Sequence, residues 1–320
     1  MNQIEDFGLI GEKMAEKITL SQPAAQVTIL TYGATLQSFI VNGVDIIVSS
    51  NDSELFYQSS SYMGQVVGPV ANRIKDASFS LEGKKYTLTP NNNGNCLHSG
   101  VANFGEKFWK IEKVTGNQAV LSYDGVDGDG GFPGKQKILV TYTLKNTELL
   151  IEYEVVATKR CPINITNHAY FNLNGNASSI LEHELTLNCD NYVEVDSYLI
   201  PTEIKPCANT DFDFSTATQI GKRRGGAYDH CLLFSGEKKG RLSNGKLALD
   251  FETSMPGIQI YTGQFLSIAK GKFGPVSAFG GVALESEYMP DSANHSEYPG
   301  VVLEENKTWK SFTSYKVSKI

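Results

Sequence analysis

The stretch Leu36–Val48, LQSFIV-NG-VDIIV, places two short apolar-rich arms on either side of Asn42-Gly43. A two-residue turn of this kind needs positive φ at both positions, which asparagine and glycine tolerate best. The stretch therefore predicts a β-hairpin. The cue recurs downstream. Phe79–Leu81 and Lys85–Leu88 flank Glu82-Gly83, and Leu242–Phe251 contains Asn244-Gly245 as a further turn of the same kind.

Working outward, Ala119–Tyr123, Ile138–Leu144 and Trp309–Val317 alternate apolar with polar residues, as half-buried strands do. Thr147–Ala157, TELLIEYEVVA, has a helix-like composition. Its later half nevertheless sets Ile151, Tyr153 and Val155 against Glu152 and Glu154, so a strand is expected. Ile258–Thr262 and Val282–Glu285 predict buried strands. Helical signals are few, and one short helix is expected within Asp52–Ser60, capped by Asp52 or Ser53. Many short strands punctuated by Gly, Asn and Pro imply an all-β sandwich or barrel. No internal repeat or Pro/Ser linker divides the chain. Length alone allows two domains, but all-β chains often run long as one, and a single domain over residues 1–320 is expected.

The net charge of −7 leaves no basic surplus to neutralise phosphates, which argues against a nucleic-acid partner. The basic knot Lys222-Arg223-Arg224 is short and reads as a solvated loop. No apolar run approaches the roughly 20 residues that span a bilayer, and the charged N-terminus lacks a signal-peptide pattern. Five widely spaced cysteines with no CxxC pair fit a reducing, cytoplasmic setting without a zinc knuckle.

Several stretches are polar where the pattern expects apolar residues. Strand-like Val155, Val156, Ile163 and Ile165 lead into Asn164–Gly175, NITNHAYFNLNG, which presents Asn167, His168 and Tyr170. Gly68–Lys75 carries Asn72 and Arg73, Asn95–Gly100 carries His98, Gly226–Phe234 carries Asp229 and His230, and Ala283–Tyr288 carries Glu285. Each also has a structural reading: His168 as a core histidine, Arg73 with Asp229 as an internal ion pair, Glu285 on a solvent face. As a set, the residue types suit a sugar. Glutamate and histidine move protons near neutral pH, Arg, Asn, Asp and Gln fork onto hydroxyls, and aromatics face a ring. There is no Gly-rich phosphate loop and no GxSxG elbow, so no nucleotide cofactor is expected.

These motifs are similar to those of the aldose 1-epimerases. GPVANRI, NCLHSG, NITNHAYFNLNG, YDHCLLF, PGIQIYTGQFL and ALESEYMPDSANHSEYPG occur in that family's order between residues 68 and 300, and LEENKTWKSFTSYKV resembles its terminal strand. The resemblance implies one large antiparallel β-supersandwich of the galactose mutarotase type. It implies cofactor-free interconversion of the α- and β-anomers of free aldohexoses such as galactose and glucose. Glu285 matches the general base and His168 the general acid, while Asn72, Arg73, His98, Asp229 and Gln259 match the sugar-holding positions. The chain departs from the family pattern at Pro69, at Ser99 where a glycine is usual, and at Glu287 where glutamine is usual. An extra acid beside Glu285 raises its pKa or shifts substrate preference.

Three other readings stay open. One is a hexose-6-phosphate epimerase, which needs Arg223 or Arg224 in the cleft to meet phosphate. Another is a sugar-binding module without turnover. The third is a metal centre of His98, His168 and Glu285, which no HxH or HxxxH spacing supports.

Overall fold

The computed structural model describes residues 3–58, 61–298 and 300–320. Three antiparallel sheets dominate it. The largest is nine-stranded and runs, in spatial order, through Lys110–Val114, Gln118–Gly125, Gln136–Lys145, Glu148–Ala157, Thr308–Lys319, Leu247–Thr253, Lys239–Ser243, Glu184–Leu187 and Thr218–Gln219. A seven-stranded sheet orders Pro201–Pro206, Cys189–Val195, Asp229–Phe234, Gly257–Tyr261, Val282–Glu287, Tyr170–Phe171 and Ile47–Val48. The N-terminal sheet is five-stranded, from Ile4–Ile10 to Val44–Asp45.

Alternation explains how these layers meet. In Glu148–Ala157, Leu149, Ile151, Tyr153 and Val155 are buried, while Glu152 and Glu154 face outward or sit at the margin. The strand expectation for this segment holds because its apolar residues repeat every two positions, and it pairs along its length with Gln136–Lys145. Its inner residues join one apolar cluster with Ile138, Val140 and Tyr142 of the same sheet and with Ile258, Ile260, Val282 and Leu284 of the seven-stranded sheet. Each such Leu, Ile or Val, fully withdrawn from water, contributes about 1.5–3 kcal/mol. This shared core fixes the two sheets face to face.

The Asn42-Gly43 turn forms as expected, with φ of 51° and 85°. Its second arm does something the pattern does not reveal. Val44–Asp45 stays in the N-terminal sheet, whereas Ile47–Val48 crosses to the seven-stranded sheet and pairs with Tyr170–Phe171. Asp45 makes the corner. Its carboxylate accepts from the Phe39 and Ile47 backbone N–H groups and from buried Lys272 Nζ at 2.6 Å. Glu82-Gly83 also forms the expected turn, with both φ positive.

Asn244-Gly245 also joins two paired arms, Lys239–Ser243 and Leu247–Thr253, but by a turn of a different kind. Only Gly245 has positive φ, and Asn244 Oδ1 instead accepts from the backbone of Lys246 and Leu247. The asparagine side chain closes this loop, so its backbone is spared the left-handed conformation. The short helix covers Ser53–Gln58, and Asp52 Oδ1 caps it by accepting from Glu54 N–H at 3.0 Å. Residues 59 and 60 of the expected helix lie outside the described residues. No helix among the described residues is long and apolar enough to cross a membrane.

Candidate active site

The site grows from the same two-residue period. Val282–Glu287 is buried along its whole length. Val282 and Leu284 point into the shared core, which turns Ala283, Glu285 and Glu287 to the opposite face. On the neighbouring strand Ile258 and Ile260 take the core, and Gln259 and Tyr261 take the other face. Gln259 is the cross-strand partner of Glu285, and Asp229 is the partner of Tyr261 on the next strand. Glu285 is only 2% exposed, which excludes the solvent-face reading.

His168 reaches this face from the next strands across. Thr166–Asn167 pairs with Val66–Val67, and Tyr170–Phe171 pairs with Val282–Glu287. The His168 backbone is tied at both ends, N–H to Gln65 O and O from Gly64 N–H. Asn167 turns away from the cleft and donates to Gly64 O at 2.8 Å, so it braces the histidine's backbone. Gly64 has φ of 71°, and a Cβ there would stand 2.1 Å from Leu36 O. Gly64→Ala is expected to cost about 1–3 kcal/mol through that strain and clash, measured as a lowered denaturant midpoint, with activity falling at the same time.

The third side comes from two loops. Arg73–Ile74 pairs with Cys96–Leu97, and Asn72 and His98 lie just outside that ladder with φ of 63° and 48°. The Asn72 backbone N–H donates to His98 Nδ1 at 3.1 Å. Asn72 Oδ1 in turn accepts from Arg73 N–H, and Arg73 Nε donates to Asn92 Oδ1. Ser99, where the resemblance expects glycine, has φ of 68°. Its hydroxyl both accepts from Val70 N–H and donates to Val70 O, at 2.8 and 2.9 Å. That substitution is a brace behind the cleft.

The seven residues matched to catalytic and sugar-holding positions meet in one cleft of about 350 Å³: Asn72, Arg73, His98, His168, Asp229, Gln259 and Glu285. His230 does not line it and packs against the Phe212 ring at 4.6 Å. His168 Nε2 lies 3.5 Å from Glu285 Oε1. Gln259 Nε2 donates to Asp229 Oδ1 at 2.6 Å, so Asp229 is held by the glutamine, whereas a direct ion pair with Arg73 was the structural alternative. His168 Nδ1, Gln259 Oε1 and Glu285 Oε2 are buried without a partner. Unsatisfied buried polar atoms around one cavity are costly unless a ligand completes them.

Sequence reasoning overlooked Tyr62, Asn92, Tyr198 and Phe265, which also line the cleft. Tyr62 packs edge-on against His98 at 4.7 Å and Tyr170 packs on His168 at 5.0 Å. The asparagine run 91–93 was the one local signal available for Asn92. Phe265 sits in a loop at the end of the motif PGIQIYTGQFL, and Tyr198 in a loop with no distinguishing pattern.

Burial sets the electrostatics. It pushes Glu285 well up, with the charges of Glu287 and Asp229 adding and Arg73 opposing. It pushes His168 down to about 4, and His98 down as well, helped by His168 and Arg73. Asp229 is raised by burial against Arg73 and Gln259. Both members of the Glu285–His168 pair thus favour their neutral forms until a proton passes between them.

His98, His168 and Glu285 present ligand atoms all within 4.8 Å of one another. Chain spacing argued against such a grouping, and the fold corrects that argument. The hydrogen bonding still favours proton transfer. A metal-bound histidine donates from its other ring nitrogen, whereas His98 Nδ1 accepts from Asn72 and so leaves the ring proton on Nε2. We assign the trio no ligand role.

The sequence profile described as Aldose 1-epimerase matches residues 16–316. The chain belongs to the aldose 1-epimerase family. It is accordingly an isomerase of the epimerase type. Human galactose mutarotase is 35% identical to it, with 96% of this chain and 95% of the relative covered. The aldose 1-epimerase of Escherichia coli K12 is 32% identical, with 93% and 94% covered. Among solved structures, the aldose epimerase homologue of C. elegans superposes with a TM-score of 0.90 at 29% identity, covering 96% of this chain and 99% of that one. Galactose 1-epimerase from Lactobacillus acidophilus gives 0.89 at 25% identity, covering 99% and 98%. Of the sandwich or barrel expected from the hairpins, the sandwich that the resemblance implied is the fold of this aldose 1-epimerase.

Proposed function

We propose that this cleft interconverts the α- and β-anomers of free aldohexoses, with Glu285 as general base and His168 as general acid. The observation that carries the reading is the 3.5 Å approach of these two proton carriers inside a buried, sugar-sized cleft. Glu285 takes the proton of the C1 hydroxyl while His168 protonates the ring oxygen. The C1–O5 bond breaks and C1 becomes an aldehyde. Rotation about C1–C2 presents its other face. On closure the O5 hydroxyl attacks C1 and returns its proton to His168, while Glu285 gives its proton back to the C1 oxygen. No electrons leave the sugar, so no redox partner or cofactor enters this scheme. Neutral His98, Asn72, Arg73, Asp229 and Gln259 hold the hydroxyls, and Tyr62 and Tyr170 supply flat walls.

Free sugars fit better than phosphorylated ones. Arg223 Nη1 is committed to Thr210 O and Asp213 O, and Arg224 lies over the Phe212 ring at 5.1 Å. Neither lines the cleft, where Arg73 is the only lysine or arginine among the described residues. Polarimetry on freshly dissolved α-D-galactose and α-D-glucose tests the reading. Acceleration of both is expected. Glucose 6-phosphate should react at least about 10-fold less efficiently, since a charged hydrogen bond missing from the site is worth roughly 1.5–3 kcal/mol. Galactose binding by calorimetry without mutarotation would support a sugar-binding module instead. We also propose that residues 1–320 act as one domain, because strands from both ends of the chain build the shared core. We place the protein in the cytoplasm, in keeping with its five buried free thiols.

A further inference from the structure

Glu287 lies two residues beyond Glu285 on the same face of Val282–Glu287, at 0% exposure. Each of the two carboxyl groups keeps one buried oxygen, Oε2, without a hydrogen-bond partner. Their surroundings differ. Glu285 lines the cleft, where water or a sugar hydroxyl reaches it. Glu287 does not line it and sits behind, where Asn72 Nδ2 donates to its Oε1 at 2.9 Å. Asn72 is the residue whose backbone orients His98 and whose side-chain oxygen holds the Arg73 N–H. Glu287 therefore hangs from the brace of the sugar-holding loop.

Two neighbouring carboxyls in a dry region do not both ionise readily, and one retains a proton. Burial raises both, and what stands beside each decides which one. Glu285 alone lines the cleft and has a proton acceptor beside it, His168 Nε2 at 3.5 Å, whose protonation offsets its charge, whereas Glu287 meets only the neutral amide of Asn72. We propose that Glu287 is a positioning residue that stays protonated in the working enzyme and so leaves the strand's single negative charge on Glu285. This rests on the mutarotase reading above.

The direction of the coupling follows from the groups that face the pair. Burial, with Asp229 adding and Arg73 and Asn72 opposing, pushes Glu287 up to about 8. Among the described residues Arg73 is the one permanent cation that acts on the pair, and it is shared by Glu285, Glu287 and Asp229. His168 and His98 approach from the cleft side and are held neutral by burial. The phenols of Tyr170, Tyr261 and Tyr315 and the thiol of Cys231 complete the surround, all raised by burial and so uncharged. While Glu287 keeps its proton it does not repel charge on Glu285. Once it ionises, the like charge holds the proton of Glu285 more tightly, and the two protons leave in macroscopic steps that belong to the pair.

Glu287→Gln keeps the shape and the acceptor for Asn72 but removes the second titration. The acid limb of kcat/KM against pH for galactose lies where Glu287 is already protonated and should stay in place, whereas the basic limb should move to lower pH by about one unit, the scale of a coupled pair, because the like charge that holds the Glu285–His168 proton at high pH is gone. Glu287→Asp, which keeps a carboxyl, should leave the basic limb near its wild-type position. Infrared difference titration supplies a readout independent of turnover. Wild type should show a protonated-carboxyl band at neutral pH that Glu287→Gln loses. A basic limb that stays in place in folded Glu287→Gln, an acid limb that moves, or a band that persists in it, overturns the proposal. Failure of wild type to mutarotate any aldose would instead sink the mutarotase reading, and the infrared band would still decide where the proton sits.

Discussion

Glu285→Gln is expected to lower kcat for galactose mutarotation by roughly 10²–10⁴-fold, the contribution of one well-placed general base. The amide keeps the shape of the carboxyl and can take the same place beside His168. It cannot accept the C1 hydroxyl proton. Because Glu285 is a buried acid with an unpartnered oxygen, its removal should leave the melting temperature unchanged or raise it. Sugar affinity by calorimetry should change little, since the holding positions remain. A folded variant that turns over at the wild-type rate would remove Glu285 from the mechanism.

His168→Asn should lose a similar roughly 10²–10⁴-fold in kcat, with a different pH signature. Burial lowers the imidazole pKa to about 4, and an ionised Glu285 at 3.5 Å pulls it back up. The acid form of His168 therefore exists chiefly when Glu285 is charged. Activity that depends on it declines as pH rises and the pair loses its shared proton. The basic limb of the profile should disappear in His168→Asn, while a merely structural histidine would leave it in place. The double variant with Glu285→Gln should be little slower than either single one, because the two residues act as a unit. Multiplied losses in the double variant would show that they work separately.

Much of this was legible along the chain. Asn42-Gly43 and Glu82-Gly83 announce their turns because positive φ is a local requirement. Thr147–Ala157 could be read as a strand against its composition because burial on one face imposes a period of two. The polar interruptions at Asn72, His98, His168, Asp229 and Glu285 stood out because each breaks that period or sits at the edge of an apolar run. Other features had no local trace. The arm after Gly43 divides between two sheets because Asp45 meets Lys272, a residue far downstream in the chain. Asn244 closes its loop by a side-chain hydrogen bond that composition does not distinguish from a left-handed turn. Ser99 exchanges hydrogen bonds with Val70 in another loop.

The amino-acid pattern by itself determined the strands, their inward and outward faces and the kinds of chemistry available, since propensity, turn geometry and alternation act over a few residues. Through its ordered motifs it also determined the family. Only the tertiary structure decided that Glu285 and His168 touch, that Asn167 braces while Tyr170 lines the cleft, and that Glu287 lies dry behind the base. Those outcomes depend on which strands pair across long separations, and on the water that pairing excludes. Desolvation, absent from any single strand, is what moves the protons of this site.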